Sequence, residues 1–270
     1  MPNRRLPRLP GLPATAIVTG GASGLGRALV ERLAAAGWQV AAVDLPPALE
    51  AADLPPSVWR CPGDVRDPAV WAGLHQRLRS EWDELGMLVN AAGVGATGEL
   101  GSLGPDQWRR VLDTNLLGTA LGCETFLPWL REASGRSHLV NVASIAAILA
   151  PPAMAAYSAS KAGVVAISEA IAAESDRRRP GVTVACPGFF RSGLLDSWHF
   201  TAGIERREAE RRMAASSWSS ERVAGRVLRA VARNRRYLVV GTQARWLWRL
   251  KRLAPRATTA LIRSIYRRLR

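Results

Sequence analysis

Lysine and cysteine are scarce in this 270-residue sequence. Only Lys161 and Lys251 are lysines among the 37 lysine and arginine residues. The three cysteines, Cys61, Cys123 and Cys186, are odd in number and lack metal-ligand spacing. We therefore expect no disulfide framework and no metal site, and we predict reduced cysteines in the core of a cytoplasmic protein.

Long apolar runs are also missing. The longest, residues 139–152, is interrupted by Asn141 and Ser144 and is too short to cross a bilayer. Residues 1–13 alternate arginine, leucine and proline without the apolar stretch of a secretory signal. We expect no transmembrane helix.

Acidic residues are absent after Glu221. The segment from Arg222 to Arg270 contains fifteen basic residues and no acidic one, which equals the net charge of +15 for the whole chain. The chain before this segment is therefore close to neutral. Strong basicity is a property of the C-terminal segment and not of the whole fold.

Short, nearly continuous apolar runs alternate with longer helix-like stretches over the first 240 residues. This alternation is typical of a parallel sheet that is covered on both faces. We predict an α/β fold: a Rossmann-type doubly wound parallel sheet of about seven strands, with helices on both faces. The predicted strands are 14–19, 38–43, 58–61, 87–90, 138–142, 182–186 and 237–240, and the later predicted helices are 68–85, 106–132, 155–177 and 220–234.

The same pattern predicts the domain organisation. An N-terminal extension (1–13) precedes a single Rossmann-type catalytic domain (14–241), and a basic amphipathic helical tail (242–270) follows it. Residues 189–219 break the alternation. Because insertions beyond the carboxyl ends of parallel strands usually close over a ligand, we interpret this segment as a substrate lid.

A glycine-rich loop joins the first predicted strand to the first helix. Glycine permits a tight turn and a close approach to a diphosphate, which the free N–H groups of the helix would bind. The spacing is not G-x-G-x-x-G, so the position between strand and helix favours a dinucleotide loop over a simple turn. The candidate cofactor-binding residues are Thr19, Gly20, Ser23, Gly24, Leu25 and Gly26.

Asp44 ends the second predicted strand, some twenty residues after this loop. A carboxylate there can accept hydrogen bonds from both adenosine ribose hydroxyls and would repel a 2′-phosphate. Leu45 follows it, and Arg27 is expected to point to solvent, so no cation is placed to receive that phosphate. NAD(H) is therefore favoured over NADP(H), with a cap or turn residue as the structural alternative for Asp44.

Tyr157 and Lys161 are four residues apart in a predicted helix, so their side chains share one face. A phenol has an ordinary pKa near 10, and a neighbouring ammonium favours the phenolate and lowers that pKa towards neutral pH. Arginine cannot replace a compact ammonium that also binds ribose hydroxyls. This requirement explains a lysine at position 161 of an arginine-rich chain.

The glycine loop and the Y-x-x-x-K pair together resemble the single-domain short-chain dehydrogenase/reductase family, over roughly residues 14–240. Residues 19–26 fit its T-G-x-x-x-G-x-G loop, and its other motifs follow in order. These are the pair Asp64-Val65, the turn Asn90-Ala91-Ala92-Gly93, the helix asparagine Asn115, Ser144, Pro187-Gly188, and Ser192 in place of a threonine.

The resemblance implies an NAD(P)-dependent alcohol dehydrogenase or ketone reductase. Tyr157 would transfer the proton to or from the substrate oxygen, while Lys161 would lower the pKa of that tyrosine and hold the nicotinamide ribose. Ser144 would bind the substrate oxygen, and Asn115 would fix a water linked to Lys161. The implied cofactor-binding residues also include Asp64, Val65, Asn90, Ala91, Gly93, Tyr157, Lys161, Pro187, Gly188 and Ser192. The alternative is a non-catalytic dinucleotide-binding or membrane-docking protein of the same fold.

The predicted lid is rich in large apolar residues. They could line a pocket above the nicotinamide, which favours a hydrophobic alcohol or ketone as substrate, or they could simply pack the lid. The residues are Phe189, Phe190, Leu194, Leu195, Trp198 and Phe200.

The tail shows the period of two amphipathic helices on either side of Pro255. Three interpretations stay open: helices packed on the domain or a partner subunit, an interfacial helix on anionic lipid at the inner face of a membrane, and nucleic-acid binding. The last lacks a motif, so no nucleic-acid partner is predicted. The apolar positions are Trp246, Leu247, Leu250, Leu253, Leu261, Ile262, Ile265, Tyr266 and Leu269, and arginines lie between them.

The tail also bears on assembly. Family members that form the common tetramer often end soon after the last strand, whereas about thirty residues follow Gly241 here. We expect a homo-oligomer, a dimer or a tetramer, in which the usual interface is altered by the tail.

Overall fold

A seven-stranded parallel sheet forms the centre of the molecule. The computed structural model describes residues 9–176 and 179–268, and the sheet has the strand order β3-β2-β1-β4-β6-β7-β9. Its strands are β1 (Thr15–Thr19), β2 (Gln39–Asp44), β3 (Val58–Pro62), β4 (Met87–Asn90), β6 (His138–Val142), β7 (Gly181–Pro187) and β9 (Tyr237–Val240). Two short strands, β5 (Ala96–Thr97) and β8 (His199–Phe200), form a separate parallel pair.

Helices follow the strands and cover both faces of the sheet. They are α1 (Gly24–Ala34), α2 (Pro46–Ala51), α3 (Pro68–Arg79), α4 (Pro105–Leu112), α5 (Gly118–Glu132), α6 (Ala146–Leu149), α7 (Ala155–Glu174), α8 (Gly203–Ala214), α9 (Ser220–Ala232), α10 (Thr242–Leu253) and α11 (Pro255–Arg268). The architecture confirms the predicted doubly wound α/β fold.

Alternate residues of each central strand are buried on opposite faces. In β1, Ala16 and Val18 pack with α1 and α9, whereas Ile17 packs in the second core with α3 and α5. Trp71 and Trp129 fill that second core and are almost fully buried. Because both faces are covered, the strands appear in the sequence as continuous apolar runs.

Several helices differ from their predicted bounds, and α7 ends at Glu174. The predicted helix 106–132 contains a π-helical segment, Asp113–Leu117, between α4 and α5. The predicted helix 68–85 ends at Arg79, and the Ser80 hydroxyl donates to the Arg77 carbonyl at that end. The predicted end of helix 155–177 lies outside the described residues.

The two chain ends are described in part. Residues 1–8 of the predicted extension lie outside the described residues, and Leu9 and Leu12 pack against the core beside α1 and α9. The tail forms α10 and α11, while Leu269 and Arg270 lie outside the described residues. None of the helices that the structure describes has the length and apolar content needed to cross a membrane.

Candidate active site

The glycine loop after β1 makes turns that larger residues would block. Gly20 and Gly24 have φ angles of +66° and +51°, in the left-handed region that favours glycine. A Cβ on Gly26 would lie 2.0 Å from the Gly20 carbonyl oxygen. The loop can therefore close tightly onto the start of α1, where free N–H groups are available to an anion.

Thr19 connects this loop to the neighbouring turn. Its hydroxyl accepts hydrogen bonds from the backbone N–H groups of Ala91 and Ala92, at 2.9 and 3.0 Å. The predicted cofactor residues that follow β1 and β4 are thus brought to one edge of the sheet.

Asp44 lies at the same edge and holds the loop. Its carboxylate accepts from the backbone N–H groups of Ala22 and Leu45, at 3.0 and 2.9 Å. Arg27 was expected to point to solvent; its side chain is 36% exposed, and its Nε donates to Glu31 at 2.7 Å. This guanidinium is already paired, because the i,i+4 spacing places the two side chains side by side.

Ser144, Tyr157 and Lys161 converge at the carboxyl end of β6, and all three side chains are buried. Tyr157 and Lys161 lie in the first two turns of α7, with the ammonium 5.9 Å from the centre of the phenol ring. The Lys161 ammonium donates to the Val142 carbonyl at 2.9 Å. The Ser144 hydroxyl accepts from the Ala146 backbone N–H at 3.1 Å.

Burial shifts the pKa values of Tyr157 and Lys161. It raises the pKa of Tyr157 to about 12, although a hydrogen bond with Ser144 acts in the opposite direction. Burial also lowers the pKa of Lys161 to about 8, against the effect of nearby Cys186. Desolvation of the phenolate therefore dominates the pKa of Tyr157, and the predicted lowering by Lys161 stays a prediction.

Asn115 acts through its neighbours. Its side chain accepts from the Val94 N–H at 2.8 Å and donates to the Val94 carbonyl and the Ser160 hydroxyl, at 2.9 and 3.0 Å. The side chain predicted to fix a water thus holds the turn after β4 against the residue that precedes Lys161. These contacts give Asn115 a positioning role, and its predicted role in fixing a water linked to Lys161 stays a prediction.

Gly93 lies in that turn, close to the side chains of Asn115 and Lys161. A Cβ there would be 3.1 Å from Asn115 Oδ1 and 3.2 Å from Lys161 Nζ. The absence of a side chain therefore leaves room for the ammonium.

Asn90 points away from the cofactor edge. Its amide nitrogen donates to Asn141 Oδ1 at 2.9 Å inside the sheet. The amide side chain thus links β4 to β6, and only the backbone of Asn90 is placed for the predicted cofactor contact.

Asp64 and Val65 are fixed by local contacts. Arg66 forms an ion pair with Asp64 at 2.6 Å, and its hydrogen bonds hold the pKa of that carboxyl below its ordinary value. The Val65 carbonyl accepts from the Trp71 indole at 2.8 Å, and a Cβ on Gly118 would meet Val65. This predicted cofactor-binding pair is positioned by α3 and α5.

Ser192 supplies a polar atom without a partner. Its hydroxyl oxygen is buried and forms no hydrogen bond with the residues that the structure describes. A Cβ on Gly24 would lie 3.6 Å from the Ser192 Cβ, so this side chain faces the glycine loop. Nearby, the Pro187 carbonyl accepts from the Ile145 N–H beside Ser144, and Gly188 lies close to β9. A bound carboxamide would satisfy the Ser192 hydroxyl, so the residues present fit a nicotinamide dinucleotide.

Trp198 covers Tyr157. The two ring centres are 4.9 Å apart, and the indole N–H donates to the Thr97 hydroxyl at 2.7 Å. A Cβ on Gly95 would lie 2.1 Å from the indole ring, so this glycine makes room for it. Sequence reasoning placed Trp198 in the lid, but its contact with Tyr157 depends on the pairing of β5 with β8.

Arg110 was missed by sequence reasoning. It lies on α4 and donates to the carbonyls of Gly95 and Ser197, at 2.8 and 3.2 Å. It therefore links the helix, the turn before β5 and the lid. An arginine flanked by Arg109 in an amphipathic helix gives no sequence signal for this role.

The described residues hold no cluster of histidine, cysteine or acidic side chains suited to a metal ion. Cys61, Cys123 and Cys186 are free and buried. Burial raises the pKa of the Cys186 thiol to about 12, against the effect of Lys161.

Comparisons with known proteins agree with this geometry. The family described as short chain dehydrogenase matches residues 14–202. "Probable oxidoreductase EphD" of Mycobacterium tuberculosis is 29% identical over 264 residues, and the match covers 92% of this chain but 45% of that protein. D-threitol dehydrogenase of Mycolicibacterium smegmatis is 37% identical over 179 residues, which cover 64% of this chain and 68% of that protein.

A solved structure shows the same architecture. A short-chain dehydrogenase/reductase from Burkholderia phymatum, in complex with NAD, superimposes with a TM-score of 0.81 at 27% identity, and the match covers 88% of this chain and 92% of that one. This chain spans less than half the length of EphD. The matched family profile covers well over half of the chain, and the chain belongs to the short-chain dehydrogenase/reductase family.

Proposed function

We propose that this chain is an NAD(H)-dependent oxidoreductase that interconverts a secondary alcohol and a ketone. The observation that carries the proposal is the buried convergence of Ser144, Tyr157 and Lys161 beside the glycine loop. Acid–base chemistry on a carbonyl oxygen needs a proton donor, a hydrogen-bond donor and a fixed cation at one point, and these three residues supply them.

The chain's own residues handle the proton and the substrate oxygen. A bound nicotinamide supplies or accepts the hydride. In the reducing direction the Tyr157 hydroxyl gives its proton to the substrate oxygen, and in the oxidising direction the phenolate takes that proton. The Ser144 hydroxyl donates to the same oxygen. Lys161 has two further N–H groups besides the one that the Val142 carbonyl accepts, and these would hold the ribose hydroxyls.

Cofactor choice rests on Asp44. Its carboxylate lies at the loop edge, and the Arg27 guanidinium is paired with Glu31, so negative charge dominates where a 2′-phosphate would bind. The Burkholderia structure has NAD bound, which supports NAD(H) as a cofactor of this chain. We expect tighter binding of NADH than of NADPH.

Fluorescence titration with both reduced cofactors tests this choice. Asp44→Asn keeps an oxygen that accepts from the Ala22 N–H but removes the charge. We expect this variant to reduce the ratio of the NADPH and NADH dissociation constants about tenfold, because the repulsion between the carboxylate and the 2′-phosphate is lost. Tighter binding of NADPH by the unchanged chain would refute the assignment.

The lid favours an apolar substrate. Trp198, Phe200 and the partly buried Leu194 and Leu195 pack in one cluster with Tyr157. A ketone that reaches Tyr157 must therefore contact aromatic and aliphatic carbon. We expect higher kcat/KM for cyclic apolar ketones than for small polyols. A panel that includes D-threitol, the substrate named for one relative, would overturn this preference if the polyol were best.

The alternative is a non-catalytic dinucleotide-binding protein. It is favoured by the indole of Trp198 packed on Tyr157, which leaves the phenol buried with a pKa of about 12. The same substrate panel separates the two proposals, because binding of NADH without turnover of any alcohol or ketone would support the alternative.

A further inference from the structure

The helices of the tail expose a stripe of large apolar side chains. On α10, Trp246, Leu250 and Leu253 follow i, i+4, i+7 spacing and are 68%, 37% and 86% exposed. On α11, Leu261 and Ile265 follow i, i+4 spacing and are also exposed. Large side chains at these intervals lie on one side of each helix, so the exposed apolar surface is continuous along each of them.

Both helices also pack on the body of the protein, α10 through the side opposite its exposed residues and α11 through positions beside them. Trp248 lies against Tyr237 of β9, with ring centres 6.1 Å apart. On α11, Thr258 is fully buried, and the Tyr266 hydroxyl bonds to Glu99 at 2.7 Å. The tail is therefore a docked pair of helices that presents its apolar stripe outward. We call this the tail face, formed by Trp246, Leu250, Leu253, Leu261 and Ile265.

An arginine-rich cleft of about 170 Å³ lies between β9, α9 and α10. Its lining includes Trp218, Arg226, Arg235, Arg245, Trp248 and Arg249. None of these four guanidinium groups forms an ion pair or a hydrogen bond with a described residue. Four unpaired positive charges around one small cleft are suited to a phosphate group.

The cleft and the tail face are contiguous. Arg245 and Arg249 line the arginine cleft, and they also line a second, shallower cleft with Thr242 and Trp246. Trp246 belongs to the tail face and is 68% exposed. Positive charge therefore borders apolar surface directly, which is the arrangement that matches the boundary between lipid headgroups and acyl chains.

We propose that the tail face docks on an anionic phospholipid bilayer. Lipid phosphate groups bind in the arginine cleft, and Trp246, Leu250 and Leu253 enter the acyl boundary. A second copy of this chain fits less well, because it would bring the same positive charge into the contact. Nucleic acid would satisfy the arginines but would leave the apolar stripe in water.

Vesicle sedimentation tests this proposal without reference to catalysis. The purified chain is incubated with sucrose-loaded vesicles of phosphatidylcholine, alone or with about a third phosphatidylglycerol. We expect at least tenfold stronger binding to the anionic vesicles, and we expect salt to weaken it because the attraction is screened. Equal binding to both vesicles, or binding to neither at low salt, would overturn the proposal.

Two double variants separate the parts of the surface. Trp246→Ser with Leu253→Ser removes apolar contact, and Arg245→Gln with Arg249→Gln removes charge; each is expected to weaken binding about tenfold or more. The controls are Leu253→Met, which keeps an apolar side chain, and Arg77→Gln on α3, next to the opposite edge of the sheet. Thermal melting shows whether each variant is folded. Full binding by either double variant would contradict the proposal.

Two further measurements test whether a free phosphate ion or a second copy of this chain binds at this surface instead of a bilayer. Inorganic phosphate is compared with sodium chloride at equal ionic strength, and phosphate is expected to release the chain from vesicles more strongly because it competes for the arginine cleft. Binding of inorganic phosphate by the free chain, together with no binding to anionic vesicles, would point to a free phosphate ligand and overturn the bilayer. Analytical ultracentrifugation without vesicles measures self-association. Self-association of the unchanged chain that both double variants abolish would show that a second copy covers the tail face, and it would overturn the proposal.

Discussion

Lys161 is the residue whose chemistry depends most on its surroundings. Its ammonium is buried, is bound to the Val142 carbonyl, and has a pKa lowered to about 8. Lys161→Arg places a larger, planar cation against Gly93, where space is already limited. We expect kcat to fall about 100-fold or more, the range for loss of acid–base function. We expect the variant to bind NADH no more tightly than the unchanged chain does. Steady-state kinetics with NADH and the best ketone measure this.

The same lysine predicts a pH effect on the free enzyme. Burial disfavours the charged form, so Lys161 is protonated below about pH 8 and neutral above it. We expect kcat/KM for ketone reduction to fall as the pH rises through this value, because the cation that holds the ribose is lost. The profile of Lys161→Arg should lack that step. If the arginine variant showed the same fall in kcat/KM at the same pH, a group other than Lys161 would be responsible for it.

Gly93 tests how closely the turn after β4 fits around Asn115 and Lys161. Gly93→Ala adds a Cβ within 3.1 Å of Asn115 Oδ1 and 3.2 Å of Lys161 Nζ, so the lysine must shift. We expect about a tenfold loss of kcat/KM, roughly 1.4 kcal/mol of transition-state stabilisation. The control is Gly73→Ala in α3, where a Cβ meets nothing within 4 Å and activity should not change.

His138 predicts a loss of stability in acid. It is buried in β6, its Nε2 lies 2.8 Å from the Thr183 hydroxyl, and burial lowers its pKa from 6.5 to about 3. The folded chain therefore keeps the imidazole neutral while the unfolded chain binds a proton, so its contribution to stability is lost as the pH falls below 6.5. Between pH 7 and pH 5 we expect a loss of about 2 kcal/mol that is absent in His138→Gln. Denaturant unfolding at both pH values checks this difference.

At the residue scale, the sequence predicted which side chains meet but not how they titrate. The spacing of Tyr157 and Lys161 predicted a shared helix face, and α7 confirms it. The raised pKa of Tyr157 was not predicted, since it depends on how deeply the ring is buried by other segments, Trp198 among them. That burial comes from another segment and leaves no mark in the local sequence.

At the scale of elements, the lid is the segment whose function depends most on its contacts. Arg110 links α4 to the carbonyls of Gly95 and Ser197. Arg110→Gln should loosen the lid and raise KM about fivefold to tenfold with a smaller change in kcat, because lid closure contributes to substrate binding. Arg109→Gln is the control, since Arg109 pairs only with exposed Asp106 among the described residues. A change in kcat alone would argue against a role in closure.

Elements differ in how far they can be predicted. Strands buried on both faces, such as β1 and β6, are continuous apolar runs, and their predicted bounds agree with the structure within one or two residues. The π-helical segment around Asn115 was missed, because it follows from hydrogen bonds to Val94 and Ser160 in other elements. The short strands β5 and β8 were missed for the same reason: each is defined only by the other.

At the scale of the whole molecule, charge and fold are separate. The Rossmann-type body contains the proposed chemistry, and the basic residues without acidic counterparts are concentrated after Glu221. The tail packs on β9 and exposes its apolar stripe, so the interpretation as packed helices and the interpretation as a lipid-binding surface are compatible.

Assembly stays a prediction. We expect a dimer or tetramer, measured by light scattering after size exclusion, and we expect the two tail double variants to keep that mass because they alter only outward-facing side chains. A monomer at micromolar concentration would contradict the expected homo-oligomer.

The central claim is that Tyr157 is the acid–base catalyst of an NAD(H)-dependent reaction. The most direct measurement is the single-turnover oxidation of bound NADH by the best ketone of the panel, in the unchanged chain and in Tyr157→Phe. The account predicts that the variant binds NADH within about twofold of the unchanged chain but loses turnover by about 1,000-fold. Turnover that survives the substitution would contradict the account.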